Sequence, residues 1–86
     1  MEYVLAVFVN RSHSQMFSKL LLSKGIPANI ISTPRDLGLS CGLSVKFNLV
    51  HLGIARNVLK SSGFTSFKNF YKVIHLGYNK YSYIKV

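Results

Sequence analysis

Residues 3 to 9, Tyr3-Val4-Leu5-Ala6-Val7-Phe8-Val9, are apolar without interruption and mostly β-branched or aromatic. Such a run has no polar face to give to water, so it predicts a central strand covered on both sides. Asn10-Arg11 ends it. Ser12-His13-Ser14-Gln15 then supplies a capping box, the Ser12 hydroxyl accepting from an amide near Gln15 while the Gln15 side chain reaches back. Met16, Phe17, Leu20 and Leu21 repeat at one-face helical spacing, and Gly25 after Lys24 offers the left-handed residue that stops a helix. A first helix is expected over about residues 13 to 24.

Residues 26 to 32 read as a second strand whose early Pro27 donates no ladder hydrogen bond, which favours a sheet edge. Residues 33 to 42 carry no periodicity and hold two glycines, a proline and the single cysteine. They form a long loop. Leu43-Ser44-Val45-Lys46-Phe47 alternates with a period of two, as a strand with one buried face does. Asn48 caps a second helix with Leu52, Ala55, Val58 and Leu59 on its apolar side and Gly63 at its stop. From about Phe67 the chain is extended again, turns at Gly77-Tyr78-Asn79-Lys80 and returns through residues 81 to 86 as a hairpin.

Strand, helix, strand, strand, helix, strand is the order of two split βαβ units. The expected fold is α/β in the α+β sense: one ferredoxin-like βαββαβ domain over residues 1–86, an antiparallel sheet with two helices on one face and a C-terminal hairpin strand. A weak echo between residues 20 to 26 and 58 to 64 fits that duplication.

Composition narrows what such a domain can do. Apolar residues make up 49% of the chain, enough for a core and too many for intrinsic disorder. Eleven Lys and Arg face two acids, Glu2 and Asp36, for a net charge of +9. Two carboxylates cannot build a paired-acid glycosidase, an EF-hand or a carboxylate-rich magnesium site. One cysteine, Cys41, forms no internal disulfide and completes no multi-cysteine zinc or CxxC redox signature. No glycine-rich nucleotide fingerprint is present. The apolar run from residue 3 is too short for a membrane span, and Glu2 stands where a signal peptide carries a base. The expectation is a soluble, cytoplasmic protein with no membrane partner.

The expected topology gives the cysteine a setting. With the third strand antiparallel to the first and beside it, Cys41 and Gly42 lie at the sheet edge where the first strand ends and the first helix starts, with Arg11, Ser12 and His13. The loop carrying Arg35 closes over that edge. A helix N-terminus, an arginine or a protonated histidine lowers a thiol's pKa from its free value of about 8.5, and glycines let backbone amides approach an anion. A lone accessible thiolate runs no dithiol cycle, but it can accept and pass on one sulfur-level group. The competing reading is an inert core thiol, since free cysteine is among the most buried residue types. His13 is likewise either a plain helix-start residue or a base, and Arg35 either a solvated loop charge or an anion clamp. His51 and His75 carry no assigned role.

The loop Thr33-Pro34-Arg35-Asp36-Leu37-Gly38-Leu39-Ser40-Cys41-Gly42 followed by Leu43-Ser44-Val45-Lys46-Phe47 resembles the signature of a small bacterial selenium/sulfur (Se/S) carrier protein-like family, a domain of unknown function. The opening strand, Ser12-His13 at a helix start and Lys24-Gly25-Ile26-Pro27 resemble it too, over about residues 3 to 63. The resemblance implies a carrier rather than a stand-alone enzyme. Cys41 would hold a persulfide or selenopersulfide, and Arg35, Ser40 and Gly42 would surround it. Its partners would be sulfur or selenium donor and acceptor proteins, with no cofactor beyond the bound chalcogen. Two features depart from the family: the strong basic charge and the longer aromatic hairpin.

Those departures support other functions. Tyr71, Tyr78, Tyr81 and Tyr83 interleave with Lys68, Lys72, Lys80 and Lys85, a pattern that can stack and neutralise single-stranded nucleic acid. The plainer alternative is core aromatics on one strand face and solvated lysines on the other. An exposed hairpin edge could instead pair with a second copy in a homodimer.

Overall fold

The computed structural model describes residues 2–37 and 42–86. The chain runs β1 (Tyr3–Phe8), α1 (Arg11–Ser23), β2 (Ala28–Ser32), β3 (Leu43–Asn48), α2 (Leu52–Ser62), β4 (Phe67–Gly77) and β5 (Lys80–Lys85). Short 3-10 turns at Arg35–Leu37 and Leu49–His51 precede β3 and α2, and Asn48 caps the second of these turns rather than α2 itself, its side-chain oxygen accepting from the Val50 amide. All strand pairs are antiparallel and form one sheet in the order β2-β3-β1-β4-β5. The α+β class is as expected. The sheet has five strands, one more than a four-stranded sandwich, because the hairpin adds β5 beyond β4.

The unbroken apolar run occupies the middle of the sheet, and Val4, Leu5, Ala6, Val7 and Phe8 are all fully buried. Val4, Ala6 and Phe8 share one cluster with Phe17 and Leu21 of α1 and Ala55 and Val58 of α2. Leu5 and Val7 point the other way and pack with Val73, alongside Tyr3, Ile31, Leu37, Tyr71 and Tyr83. Both faces of β1 are therefore buried, one under the helices and the other among neighbouring side chains of the sheet and Leu37, which is why it can spare no polar position. Phe8 anchors the helix-side core, with Phe17, Phe64 and Phe67 rings 5.3 to 5.8 Å away in tilted or edge-on contact.

Several local expectations are revised. The helix α1 starts at Arg11, and its cap is Asn10 rather than Ser12: the Asn10 carboxamide oxygen accepts from the Ser12 and His13 amides. An asparagine preceding the helix in extended conformation reaches those donors directly, which leaves no work for a serine two residues later. The buried stripe is Ser14, Phe17, Ser18 and Leu21, whereas Met16 is 53% and Leu20 37% exposed. Two small serines take buried positions on that stripe, and Met16 turns outward. The strand β2 is an edge, as Pro27 suggested, and starts just after it. Both helices stop where expected, α1 ahead of Gly25 and α2 at Gly63.

Candidate functional site

Phe8, the last residue of β1, is paired with Leu43, the first of β3, so the end of β1 and the start of β3 share one sheet edge. Gly42 closes that corner with φ +134, and a β-carbon there would sit 2.8 Å from the Phe8 carbonyl oxygen. Only glycine fits both constraints. The Gly42 carbonyl accepts from the Thr33 amide at 3.3 Å. Next to it, the Thr33 and Ser44 hydroxyls are 2.8 Å apart, and Ser44 is fully buried. From the helix side the buried Ser14 hydroxyl donates to the Leu43 carbonyl at 2.8 Å. The start of β3 is thus clamped by β1, α1 and the end of β2.

His13 stands in the first turn of α1 at the same edge. Its Nδ1 lies 2.7 Å from the Ser66 hydroxyl, and its ring packs on Phe64 with centroids 5.1 Å apart. Ser66 is itself held, its carbonyl accepting from the Val9 amide at 3.0 Å. The imidazole is therefore fixed through Nδ1 in a half-buried position, which leaves Nε2 as the nitrogen that could exchange a proton.

Arg35 is exposed in the 3-10 turn Arg35–Leu37, a turn closed by the Leu37 amide donating to the Pro34 carbonyl at 3.1 Å. Its guanidinium forms no ion pair among the described residues; the ion pair present, Lys72 with Glu2 at 3.3 Å, is elsewhere. Ser40 and Cys41 lie outside the described residues. Of the residues singled out in the sequence, His13 and Gly42 are brought to one edge, while Arg35 is tied to neither.

The electrostatics of that edge differ from the expectation in one respect. The Ser12 and His13 amides are already occupied by the Asn10 side chain, and the Ser14 amide donates to the Asn10 carbonyl. An anion there would meet the helix dipole, Arg11 and His13 rather than free helix amides. Asn10, Ser14, Thr33, Ser44 and Ser66 all shape the corner, and none was legible beforehand as doing so. Ser66 is 53 residues from His13, a separation with no local signal. Among the described residues no group of three or more His, Cys, Asp or Glu side chains could hold a metal ion. A groove in the helix layer, lined by Leu20, Lys24, Ile54, Asn57, Val58, Ser61 and Ser62, holds no acid and no histidine.

These features define a small α+β fold in which the end of β1, the start of α1 and the start of β3 meet at one corner. The family model described as "Putative Se/S carrier protein-like" matches residues 3–72, most of the chain, and the protein belongs to that family. No curated protein and no solved structure matches it. The matched region contains every residue of the candidate site and ends within β4, leaving β5 outside.

Proposed function

We propose that the protein carries sulfur or selenium on Cys41, as a persulfide or selenopersulfide, and delivers it to a partner protein in the cytoplasm. Family membership over a segment that includes the whole loop from Thr33 to Gly42 is the observation that carries this reading. In the loading step the Cys41 thiolate attacks the outer sulfur of a donor persulfide. The donor's sulfur–sulfur bond breaks, its thiolate leaves, and Cys41 keeps the transferred atom with no net change of oxidation state. Delivery is the same exchange in reverse, with an acceptor thiolate attacking.

The fixed corner at Gly42 supports a positioning role for the residue bonded to it, and Gly42, Ser40 and Arg35 are the surroundings proposed for the bound chalcogen. In this reading His13, whose Nδ1 is held by Ser66, gives or takes the proton of the exchange. The ferredoxin-like reading of the fold belongs to the same proposal: the order β2-β3-β1-β4 and the cluster shared by both helices support it.

The test is the mass of protein purified without reductant, together with alkylation of native Cys41. A gain of about 32 or about 80 Da that disappears with thiol reductant is expected for bound sulfur or selenium. Native alkylation should be fast and slowed severalfold in Arg35→Ala. Alkylation that needs denaturant would overturn the carrier reading.

A further inference from the structure

We propose that the sheet face opposite the helices binds single-stranded nucleic acid, with bases stacked on its tyrosines. The strand registers place Tyr3 beside Val73 and Val73 beside Tyr83 in one cross-strand row. The next row is Lys46, Leu5, Tyr71 and Lys85, and His75 with Tyr81 extends the face toward the hairpin turn. Directly paired residues share a side of the sheet. Leu5 lies in the cluster that excludes the helices, so these rows are on the helix-free side. One face thus presents Tyr3, Tyr71, Tyr81 and Tyr83 together with Lys46 and Lys85.

This sorts the hairpin residues that the sequence offered as a group. Lys72 is on the other face and engages Glu2, and Tyr78 is in the turn, 91% exposed. Tyr3 and Lys46 join from distant parts of the chain.

Part of this surface is a roof over Leu5, Val7 and Val73, a duty any large apolar side chain could perform. Three observations go beyond roofing. Tyr81 is 44% exposed and stacks nearly parallel on His75, with centroids 4.9 Å apart, outside that cluster. The Lys46 ammonium sits over the Tyr3 ring, 4.3 Å from its centroid, which caps one face of that tyrosine with a cation and fixes a positive charge beside the aromatic row. The strand rows of this face carry lysines and no carboxylate, in a chain of net charge +9; the two acids stand at its margin, Glu2 in a groove with Tyr3 and Lys46, and Asp36 near Tyr83, whose pKa is raised by burial first and then by that carboxylate. Aromatic platforms flanked by cations are what an unpaired, polyanionic strand needs, whereas a duplex keeps its base faces hidden. The strand β5, which supplies two of the tyrosines, lies beyond the family match, whereas Tyr3, Lys46 and Tyr71 lie within it and Leu37 of the Arg35–Leu37 turn packs on the same face.

The test is fluorescence anisotropy of labelled oligothymidylate and oligouridylate with the intact protein, against a duplex of the same length. Single strands should bind in low salt, more tightly than the duplex. Tyr3→Ala and Tyr83→Ala should each weaken binding about tenfold, within the range for losing one base stack, while Tyr83→Phe keeps it. The exposed Tyr81→Ala serves if the half-buried variants fold poorly. Lys46→Ala with Lys85→Ala should flatten the logarithmic salt dependence by about 1.4, whereas Lys19→Ala with Lys60→Ala on the helices leaves it unchanged. Absence of binding, or equal duplex binding with no effect of any tyrosine variant, would overturn the proposal.

Discussion

The carbonyl oxygen of Phe8 stands 2.8 Å from the point where a β-carbon on Gly42 would be, so the end of β1 and the start of β3 touch through backbone alone. A methyl group there meets a carbonyl that the sheet holds in place, and φ +134 strains any other residue. Gly42→Ala is therefore expected to lower stability by about 1–3 kcal/mol, measured as a shift in the urea midpoint. A neutral substitution would mean that the corner can relax.

Ser14 illustrates a different dependence. Its hydroxyl is fully buried and reaches the Leu43 carbonyl. Ser14→Ala removes a donor while the carbonyl stays in place, which should cost about 1–2 kcal/mol. Ser23→Ala, removing an exposed hydroxyl bond on the same helix, should cost much less. Equal losses in paired denaturation curves would contradict the importance given to the clamp.

Phe8 is the centre of an aromatic group on the helix side. Phe8→Ala leaves a cavity in contact with both helices' core and should cost about 3–5 kcal/mol. In a domain of this length that is a large share of total stability. Thermal melts should show a broad or missing transition, and Phe8→Leu should recover much of it.

The helix-free face makes a prediction about alkaline pH. Burial, and then the neighbouring phenol of Tyr81, raises the Tyr3 pKa above 10.0. Burial first, then Asp36, Tyr3 and Tyr81, do the same for Tyr83. As pH climbs past about 10, the unfolded chain gives up these protons while the folded chain keeps them, so the native state binds more protons. Stability therefore falls as pH rises through that region. Tyr3→Phe with Tyr83→Phe should show a shallower decline in urea midpoint; an unchanged slope would refute the link.

Much of the fold was legible because its signals are local. The apolar run from Tyr3 predicted a doubly covered strand, and Val4 to Phe8 are fully buried, whereas Val9 falls past the strand's end and is 49% exposed. Gly25 and Gly63 marked the helix stops, and Asn79, at φ 54, occupies the hairpin turn that the Gly77 to Lys80 segment announced. The capping of α1 was misread because Asn10 and Ser12 are both good caps, and only the path of the chain selects between them. Spacing alone groups Met16 and Leu20 with Phe17 and Leu21, and it cannot tell that the small side chains of Ser14 and Ser18 take the buried positions instead. The residue types of the candidate site stand in the sequence, whereas the contacts around His13 and Thr33 do not: nothing local ties His13 to Ser66 or Thr33 to Ser44.

By itself the sequence determined the α+β class and the family, and its single cysteine and two carboxylates left no multi-cysteine zinc signature, internal disulfide or paired-carboxylate site, since each depends on residue types and short spacings. Tertiary structure decided which groups meet. Strand registers joined Tyr3 to Tyr83 through Val73 and parted Lys72 from Lys85. Side chains alternate across a sheet, so a shift of one residue in pairing would exchange its two faces, and that register depends on contacts between segments far apart in the chain.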